Sequence, residues 1–266
     1  MIKLLVQSDD YGITRGVSAG IIEGIKKGII RNTGLFVNMP CSYQAAKDIK
    51  DLDVCLGIDI NYVCGTPVSD INLIPHLVDE NGRFYKSGSI LERYQIISKD
   101  KFGLITTFDK DPYPYEEIYL ETENQVKKFI ELIGRLPDYI HAHSLCTPNT
   151  HKAASEIAKK YGIKHSFEMM YNRPYLSHTF SGIKENSIQE QLESHVVERV
   201  LNDLQELEDN QTYYYISHCG YVDYELFRES SLTLRRIKDL DAMLDKEIIN
   251  YIQKLNIQLI TYKDLT

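Results

Sequence analysis

The chain has 266 residues, of which 43% are hydrophobic and 26% are charged, and its formal net charge is −8 at pH 7. A chain of this length can bury a full core, since α/β barrels commonly use about 250 residues as one domain. The negative charge balance excludes a general positive field that would hold a polyanion, so we expect no nucleic-acid partner.

The cysteines and the apolar runs indicate the compartment. Five cysteines are scattered along the chain without a C-x-x-C pair, which indicates reduced thiols rather than a disulfide framework or a zinc ribbon. The N-terminus has no long apolar region of the kind found in export signals, and no later apolar run approaches about 18 residues. We therefore expect a cytoplasmic protein without a membrane partner. The sequence leaves open whether the chain forms a homo-oligomer.

Apolar residues alternate between runs of strand length and repeats at helical spacing. The predicted strands, in chain order, are Ile2–Gln7, Leu35–Val37, Val54–Ile60, Tyr139–His143, Ile163–Phe167, Tyr213–Ser217 and Ile257–Thr261. The helical patterns between them lie at Val17–Ile29, Val126–Ile133, Lys152–Tyr161, Ile188–Leu207 and Leu232–Leu255. About seven strands separated by helices predict an α/β fold with a parallel sheet and right-handed crossovers.

Two long stretches break this alternation, at about 65–113 and 171–186. Both contain prolines and few periodic residues, which is typical of loops. Loops of this length are usually functional or disordered, and on a barrel they would cover the mouth where substrates bind. No linker or internal repeat appears, so residues 1–266 are predicted to form a single domain.

Three acids stand where acids are costly. Asp9 and Asp10 close the first apolar run, at a strand end that faces the active mouth in parallel α/β folds. The chain turns there, so one acid can bind a metal while the other reaches substrate or water; alternatively, one of them caps the helix that starts near Thr14. Asp59 lies inside the apolar strand Val54–Ile60, where an isolated acid needs a partner charge or a metal.

Three histidines also lie at strand ends. His141 and His143 stand two apart in the strand Tyr139–His143, so their imidazoles project from one face. That spacing suits two metal ligands, or one ligand and a residue that orients it, although a structural histidine is the alternative at each position. His218 follows the strand Tyr213–Ser217, a position that suits a general acid or a buried structural histidine.

Several motifs, in a common order, resemble those of the YdjC/ChbG/HpnK-type carbohydrate deacetylases. The matching segments are Ser8–Gly12 (family N-A-D-D-F-G), Asn32–Pro40 (T-S-T-S-L-M-V-N-M-P), Gly57–Asn61 (G-L-H-L-N), Leu77–Phe84 (L-V-D-E-D-G-R-F), His218–Tyr221 (H-P-G-Y) and Arg236–Leu240 (R-x-x-E-L). The resemblance spans nearly the whole chain. It implies a distorted, TIM-like parallel β/α barrel, a divalent metal that is magnesium or zinc, and hydrolysis of an acetamido group on a sugar.

The resemblance also implies roles for individual residues. Asp10 would bind the metal and Asp9 would be the base that activates water, while His218 is the best candidate for the acid that protonates the leaving nitrogen. The family motifs place the substrate-binding residues at Asn61, Arg236 and Tyr221.

The remaining ligands depart from the family pattern. Asp59 replaces the histidine of G-L-H-L-N, and the family's second metal histidine falls on His143 when the strand is aligned from Pro137. Alignment from Pro148 selects His141 instead. In the first register His141 also stands where the family has aspartate, so acid and histidine are exchanged between two strands.

These residues give an expected mechanism. A divalent ion held by Asp10, Asp59 and His143, with His141 as a further candidate ligand, would polarise the acetyl carbonyl and lower the pKa of a bound water. The alternatives are another metal-dependent amidase or phosphoester hydrolase on the same barrel, and a catalytically impaired carbohydrate-binding homologue. The first is open because fold and ligands do not fix the substrate, and the second because of the departures at Asp59 and His141.

Overall fold

The structure is a computed structural model that describes residues 1–101, 103–171, 173–174, 176 and 187–265. Most of the loop predicted at about 171–186 therefore lies outside the described residues. Pro174 and Leu176 are described, and both form backbone hydrogen bonds with Tyr214.

The strands form a mostly parallel sheet. Within the described ranges they are β1 (Lys3–Tyr11), β2 (Asn32–Leu35), β3 (Cys55–Ile60), β4 (Ile96–Lys99), β5 (Thr106–Phe108), β6 (Tyr139–Ala142), β7 (Lys164–His165), β8 (Thr212–Ser217) and β9 (Gln258–Ile260). Seven of them make one sheet in the order β7-β6-β3-β2-β1-β8, with β9 also paired to β1, and every pair is parallel. The predicted α/β fold with a distorted parallel barrel of about seven strands is confirmed, as a curled sheet whose edge strands β7 and β8 are not paired with each other.

Helices connect the strands and cover the sheet. The described helices are α1 (Arg15–Lys27), α2 (Ser42–Ile49), α3 (Ser87–Arg93), α4 (Tyr115–Ile133), α5 (Pro148–Tyr161), α6 (Ser166–Met170), α7 (Ile188–Leu192), α8 (Val196–Gln205), α9 (Leu226–Glu229), α10 (Arg235–Leu244) and α11 (Lys246–Lys254). The single helices predicted at Ile188–Leu207 and Leu232–Leu255 were wrong, since each is divided in two. The second divides at Asp245, whose extended backbone ends α10 and whose carboxylate accepts the first amides of α11.

Two other predicted elements differ in extent. β1 continues past Gln7 to Tyr11, and all of its residues after Lys3 are buried. The predicted strand Ile163–Phe167 is wrong in its second half, because the chain turns into α6 directly after His165. In both places the true strand end differs from the predicted one at polar residues, which apolar periodicity does not register.

The helix after β1 is capped locally. Thr14 is its N-cap, and its side chain accepts a hydrogen bond from the Val17 amide at 3.3 Å. The two aspartates of β1 are therefore not needed as caps. Gly20 lets α1 approach the segment after β8, since a Cβ there would lie 2.7 Å from Gly220 Cα.

The stretch at about 65–113, which was predicted as a long loop, includes short regular elements. It contains a 3₁₀ turn at Ile71–Leu73, the helix α3 and the antiparallel pair β4–β5. Leu77, Phe84 and Ile90 from this stretch are buried in the main core. The segment is thus packed against the barrel, where it can form a wall of a binding site.

The described residues contain no helix with the length and hydropathy needed to span a membrane. The five cysteines are free, as predicted, and all except Cys41 are buried.

Candidate active site

The predicted acids and histidines meet at the carboxyl edge of the sheet. Asp9 and Asp10 lie at the end of β1, Asp59 near the end of β3 and His141 near the end of β6. Asp59 and His141 are direct register partners on neighbouring strands. All four residues are buried.

A bulge in β1 brings the adjacent carboxylates to the same region. The pairing of β1 with β2 shifts register between Ser8 and Tyr11, and Asp10 has a φ of 70°. Aspartate tolerates this left-handed conformation better than most residues, and such strain concentrates at functional sites. The bulge also directs the Asp10 amide toward Asp59, whose Oδ2 accepts its hydrogen bond at 2.8 Å.

Two basic side chains hold the Asp10 carboxylate. Arg236 Nη2 donates to Oδ2 at 2.6 Å, and His143 Nδ1 lies 2.7 Å from Oδ1. Burial alone would raise the pKa of Asp10, but the charges of His143 and Arg236 outweigh it and hold the pKa well below its usual value. Asp10 is therefore a carboxylate at the centre of the cluster.

Asp9 is oriented by its own set of partners. Gln7 Nε2 donates to Oδ1 at 2.5 Å, while His141 Nε2 lies 3.3 Å and His218 Nε2 3.9 Å from Oδ2. Tyr262 in turn fixes Gln7, since its hydroxyl donates to Oε1 at 2.7 Å. Burial is the largest influence and raises the pKa of Asp9, but the attraction and hydrogen bond of His141 and the attraction of His218 together outweigh it, so the net shift is downward.

His141 is fixed at both ring nitrogens. Its Nδ1 lies 2.8 Å from Ser166 Oγ, and its Nε2 faces Asp9. Burial lowers the pKa of His141, but attraction to Asp9 and then to Asp59 outweighs it and raises the pKa to about 8. In this arrangement His141 orients Asp9 and balances its charge.

Asp10 and Asp59 each have a buried carboxylate oxygen without a hydrogen-bond partner among the described residues. For Asp10 this is Oδ1, which lies 2.7 Å from His143 Nδ1, and for Asp59 it is also Oδ1. Burial and the nearby charge of Asp9 raise the pKa of Asp59 well above the usual value. A buried acceptor of this kind calls for a missing partner, such as an ion, a water or a substrate group.

A cavity of about 580 Å³ opens beside the cluster. Its lining joins four cluster residues to the segments that carry α3 and α9: Asp10, His143, His218, Arg236, Lys86, Ser87, Glu92, Phe227, Glu229 and Leu232. Arg236 Nη1 is buried without a partner in the described part of the chain. A polar ligand in the cavity can therefore meet donors from Arg236 and His218 together.

Comparison with known proteins identifies the family of this chain. A family model described as YdjC-like protein matches residues 3–254. The chain belongs to the YdjC-like family. The resemblance drawn from its motifs is thus confirmed.

Curated relatives of this YdjC-like protein match over its whole length. A carbohydrate deacetylase of Thermoanaerobacter pseudethanolicus is 30% identical over 273 residues, covering 100% of both chains. A carbohydrate deacetylase of Clostridium beijerinckii is 28% identical over 280 residues, covering 99% of this chain and 100% of the relative. A crystal structure from Enterococcus faecalis V583, provisionally described as a cellobiose-phosphate cleavage protein, has a TM-score of 0.75 at 21% identity and covers 98% of both chains. It supports the fold.

Two predicted substrate-binding residues do not line the cavity of this YdjC-like protein. Asn61 is fully buried, and its side chain binds Asn38, Val63 and Cys64. It therefore organises the turn after β3 and has no exposed atom for a sugar. Tyr221 lies on the surface, where its hydroxyl donates to a carboxylate oxygen of Glu23. Arg236, the third, lines the cavity.

Sequence patterns missed the residues that orient the cluster. Gln7 holds Asp9, and Ser166 holds His141. Both were inside predicted strands, where a buried polar side chain is the signal that could have identified them. The Lys86–Glu92 wall of the cavity had no such signal, because it belongs to the stretch predicted as a loop.

The predicted metal ligands do not close around one point. Among the described residues, the group whose ligand atoms all lie within 4.8 Å of one another is formed by His151, His165 and Glu168. Around Asp10, the side chains of Arg236 and His143 take the positions next to its oxygens. The donor types of Asp10, Asp59 and His143 nevertheless suit a divalent ion, and Asp59 Oδ1 is an unused buried acceptor.

Gly34 makes room for that acceptor. A Cβ at position 34 would lie 1.8 Å from Asp59 Oδ1. We expect Gly34→Ala to lower the free energy of unfolding by about 1–3 kcal/mol, the usual cost of overpacking, as measured by urea denaturation. Gly88→Ala is the control, since a Cβ there meets nothing within 4 Å.

The double variant identifies the cause. If the clash with Asp59 is responsible, Gly34→Ala combined with Asp59→Ala should be no less stable than Asp59→Ala alone. A full additive loss in the double variant would show that Gly34 is needed for another reason.

Proposed function

We propose that this protein is a carbohydrate deacetylase, a hydrolase of linear amide C–N bonds that releases acetate from an N-acetylated amino sugar or a chitooligosaccharide-like substrate. The names of the curated relatives support this assignment. The observation that carries it is the pair of ionised aspartates at the end of β1, each held by basic partners beside a polar cavity. One carboxylate can accept a proton from water, while the other can bind the ion that polarises the acetyl carbonyl.

Asp9 is the base in the proposed reaction. Gln7 and His141 hold its carboxylate in place, and it accepts the proton of the attacking water as the water oxygen bonds to the acetyl carbon. Because its pKa is lowered, Asp9 is ionised at neutral pH but is a weak base. It therefore needs a water whose own pKa is reduced.

Asp10, Asp59 and His143 would hold a divalent ion, magnesium or zinc, which would supply that reduction and would polarise the acetyl carbonyl. Asp10 Oδ1 and His143 Nδ1 lie 2.7 Å apart, and both residues line the cavity. Arg236 keeps Asp10 ionised and oriented through its Nη2.

His218 is the acid in the proposed reaction. Its Nε2 lies 3.9 Å from Asp9 Oδ2 and its ring lines the cavity. The Asp239 carboxylate positions it by accepting the His218 backbone amide at 3.0 Å. It gives a proton to the sugar nitrogen as the C–N bond breaks, so the products are acetate and a free amine.

The test is acetate release from a panel of N-acetylated oligosaccharides, run on chelator-stripped protein with magnesium or zinc restored. We expect Asp10→Asn to lower bound divalent metal by about one ion per chain and to abolish acetate release, because it removes a charged ligand. Asp51→Asn, at an exposed position, should leave both unchanged. Acetate release that is equal in stripped and restored protein, or metal content that is unchanged in Asp10→Asn, would contradict the metal assignment.

A catalytically impaired, carbohydrate-binding protein is the second candidate. Asp10 is already neutralised by Arg236 and His143, and His141 faces Asp9 rather than the cavity. The same panel separates the two functions. Binding of the oligosaccharides without acetate release, with any metal, would favour this candidate, whereas cleavage of simple amides or phosphoesters in place of sugars would favour a different hydrolase.

A further inference from the structure

A second cluster of ligand-type side chains lies outside the candidate active site. His151 comes from α5, His165 from β7 and Glu168 from α6, and their ligand atoms all lie within 4.8 Å of one another. His165 Nδ1 is 3.6 Å from Glu168 Oε1, and the two imidazole centroids are 5.0 Å apart. None of the three residues takes part in the proposed hydrolysis.

Three imidazole nitrogens of this cluster have no hydrogen-bond partner among the described residues. His165 is 3% exposed, and neither of its ring nitrogens has a hydrogen-bond partner among the described residues. The same holds for His151 Nδ1. A buried polar group without a partner costs about 1–3 kcal/mol, so three unused nitrogens at one place require a missing partner.

The fold orients all three side chains toward each other. His165 and Ser166 are consecutive and point in different directions, with Ser166 Oγ at His141 and His165 beside His151. His151 and Ser155 are four residues apart on α5 and thus share a face. Ser155 Oγ donates to Glu168 Oε1 at 2.5 Å, which fixes the carboxylate at the cluster.

We propose that His151, His165 and Glu168 bind a divalent transition metal of the zinc class. Two imidazole nitrogens and one carboxylate oxygen are ligands that zinc and cobalt accept, whereas magnesium prefers oxygen ligands alone. Bonds of about 2.0–2.1 Å in a tetrahedron place ligand atoms about 3.3 Å apart, so the side chains need only a small inward movement. A water completes the fourth position.

The surroundings suit this ligand set. Burial, with a smaller contribution from His151, lowers the pKa of His165 to about 4, so its imidazole is neutral at pH 7 and free to bind a metal. A bound ion would tie α5 to the β7–α6 segment. Ser166, which orients His141, lies in that segment, so the ion would also stiffen the support of the active-site cluster.

Cobalt titration of the chelator-stripped protein tests the proposal. Tetrahedral Co²⁺ absorbs visible light strongly, which makes each site countable. We expect His151→Ala to bind one Co²⁺ fewer than the wild type and to weaken binding at this site roughly 100-fold or more, since a lost ligand costs more than a lost outer partner. Glu168→Gln should act in the same direction. His76→Ala, at an exposed histidine beside Glu117, is the matched control and should bind as the wild type does.

Asp10→Asn distinguishes this site from the proposed active-site metal. It should keep the Co²⁺ absorption of the second site, and combining it with His151→Ala should remove that absorption. Equal Co²⁺ stoichiometry and affinity in wild type and in folded His151→Ala, whose imidazole is only half-buried in the wild type, would overturn the proposal. The titration does not depend on acetate release, so failure of the proposed hydrolysis leaves its result unaffected.

Discussion

We expect Asp9→Asn to reduce acetate release by roughly 100-fold or more, the usual scale for loss of a general base, while the protein stays folded and keeps its metal. Asparagine preserves the shape of the side chain and can still accept the Gln7 hydrogen bond, which is 2.5 Å long in the wild type. It cannot take a proton from water. The measurements are initial rates of acetate release and metal content by elemental analysis, with Asp51→Asn as the control.

The ratio of the two losses assigns the roles of the adjacent aspartates. Asp9 contacts Gln7, His141 and His218, whereas Asp10 contacts Arg236 and His143 and faces the cavity. If Asp9→Asn loses metal together with activity, Asp9 is a ligand and the two roles must be exchanged. Near-normal acetate release with full metal content would remove Asp9 from the reaction.

Much of the fold follows from apolar periodicity. Parallel strands buried on both faces read as continuous apolar runs, and β3 and β8 were predicted to within one residue of their ends. Periodicity failed where a polar contact redirects the chain, as at Asp245 between α10 and α11. It also failed in the stretch at about 65–113, because short elements such as α3 pack through only a few apolar residues.

The sequence predicted which residues form the candidate site better than it predicted the contacts between them. Strand ends in a parallel sheet share one edge, so Asp9, Asp10 and His141 could be expected together. Their pairing could not, because it depends on the left-handed backbone of Asp10, which aims its amide at Asp59. Such conformations are stabilised by tertiary contacts and have no local sequence signature.

The pairing of β3 with β6 explains how acid and histidine can be exchanged between positions 59 and 141. Asp59 and His141 are Cα partners on β3 and β6, and Asp9 attracts the imidazole while raising the pKa of Asp59. Asp59 and His141 thus keep one acid and one base side by side on neighbouring strands, close to Asp9. A metal site could use either arrangement, with the imidazole on either strand, provided that both donors are present.

The reciprocal double variant tests this pair. Asp59→His alone places a second imidazole beside His141, and His141→Asp alone places a further carboxylate beside Asp9 and Asp59. Each single variant should be destabilised in metal-free protein, because like charges or unmatched donors are then buried together. Exchanging both residues restores the balance, so we expect a favourable coupling free energy of about 0.5–3 kcal/mol in urea denaturation.

Alanine variants at His141, His143 and Asp59, together with Asp59→His, identify the metal ligands. We expect His143→Ala to lower the affinity for the metal more than His141→Ala does. His143 is the proposed ligand, whereas loss of an orienting partner such as His141 costs only about 10- to 100-fold in affinity. Asp59→Ala should also weaken binding, and Asp59→His, alone or in the exchanged pair, should shift preference toward zinc, since imidazole suits zinc better than a carboxylate does. Metal titrations of these variants are best made on a His151→Ala background, so that the second cluster does not contribute. Asp59→Ala protein that binds metal as tightly as its parent would exclude Asp59 as a ligand. For the exchange of Asp59 and His141, strictly additive changes in the free energy of unfolding would show that the two positions do not act as a pair.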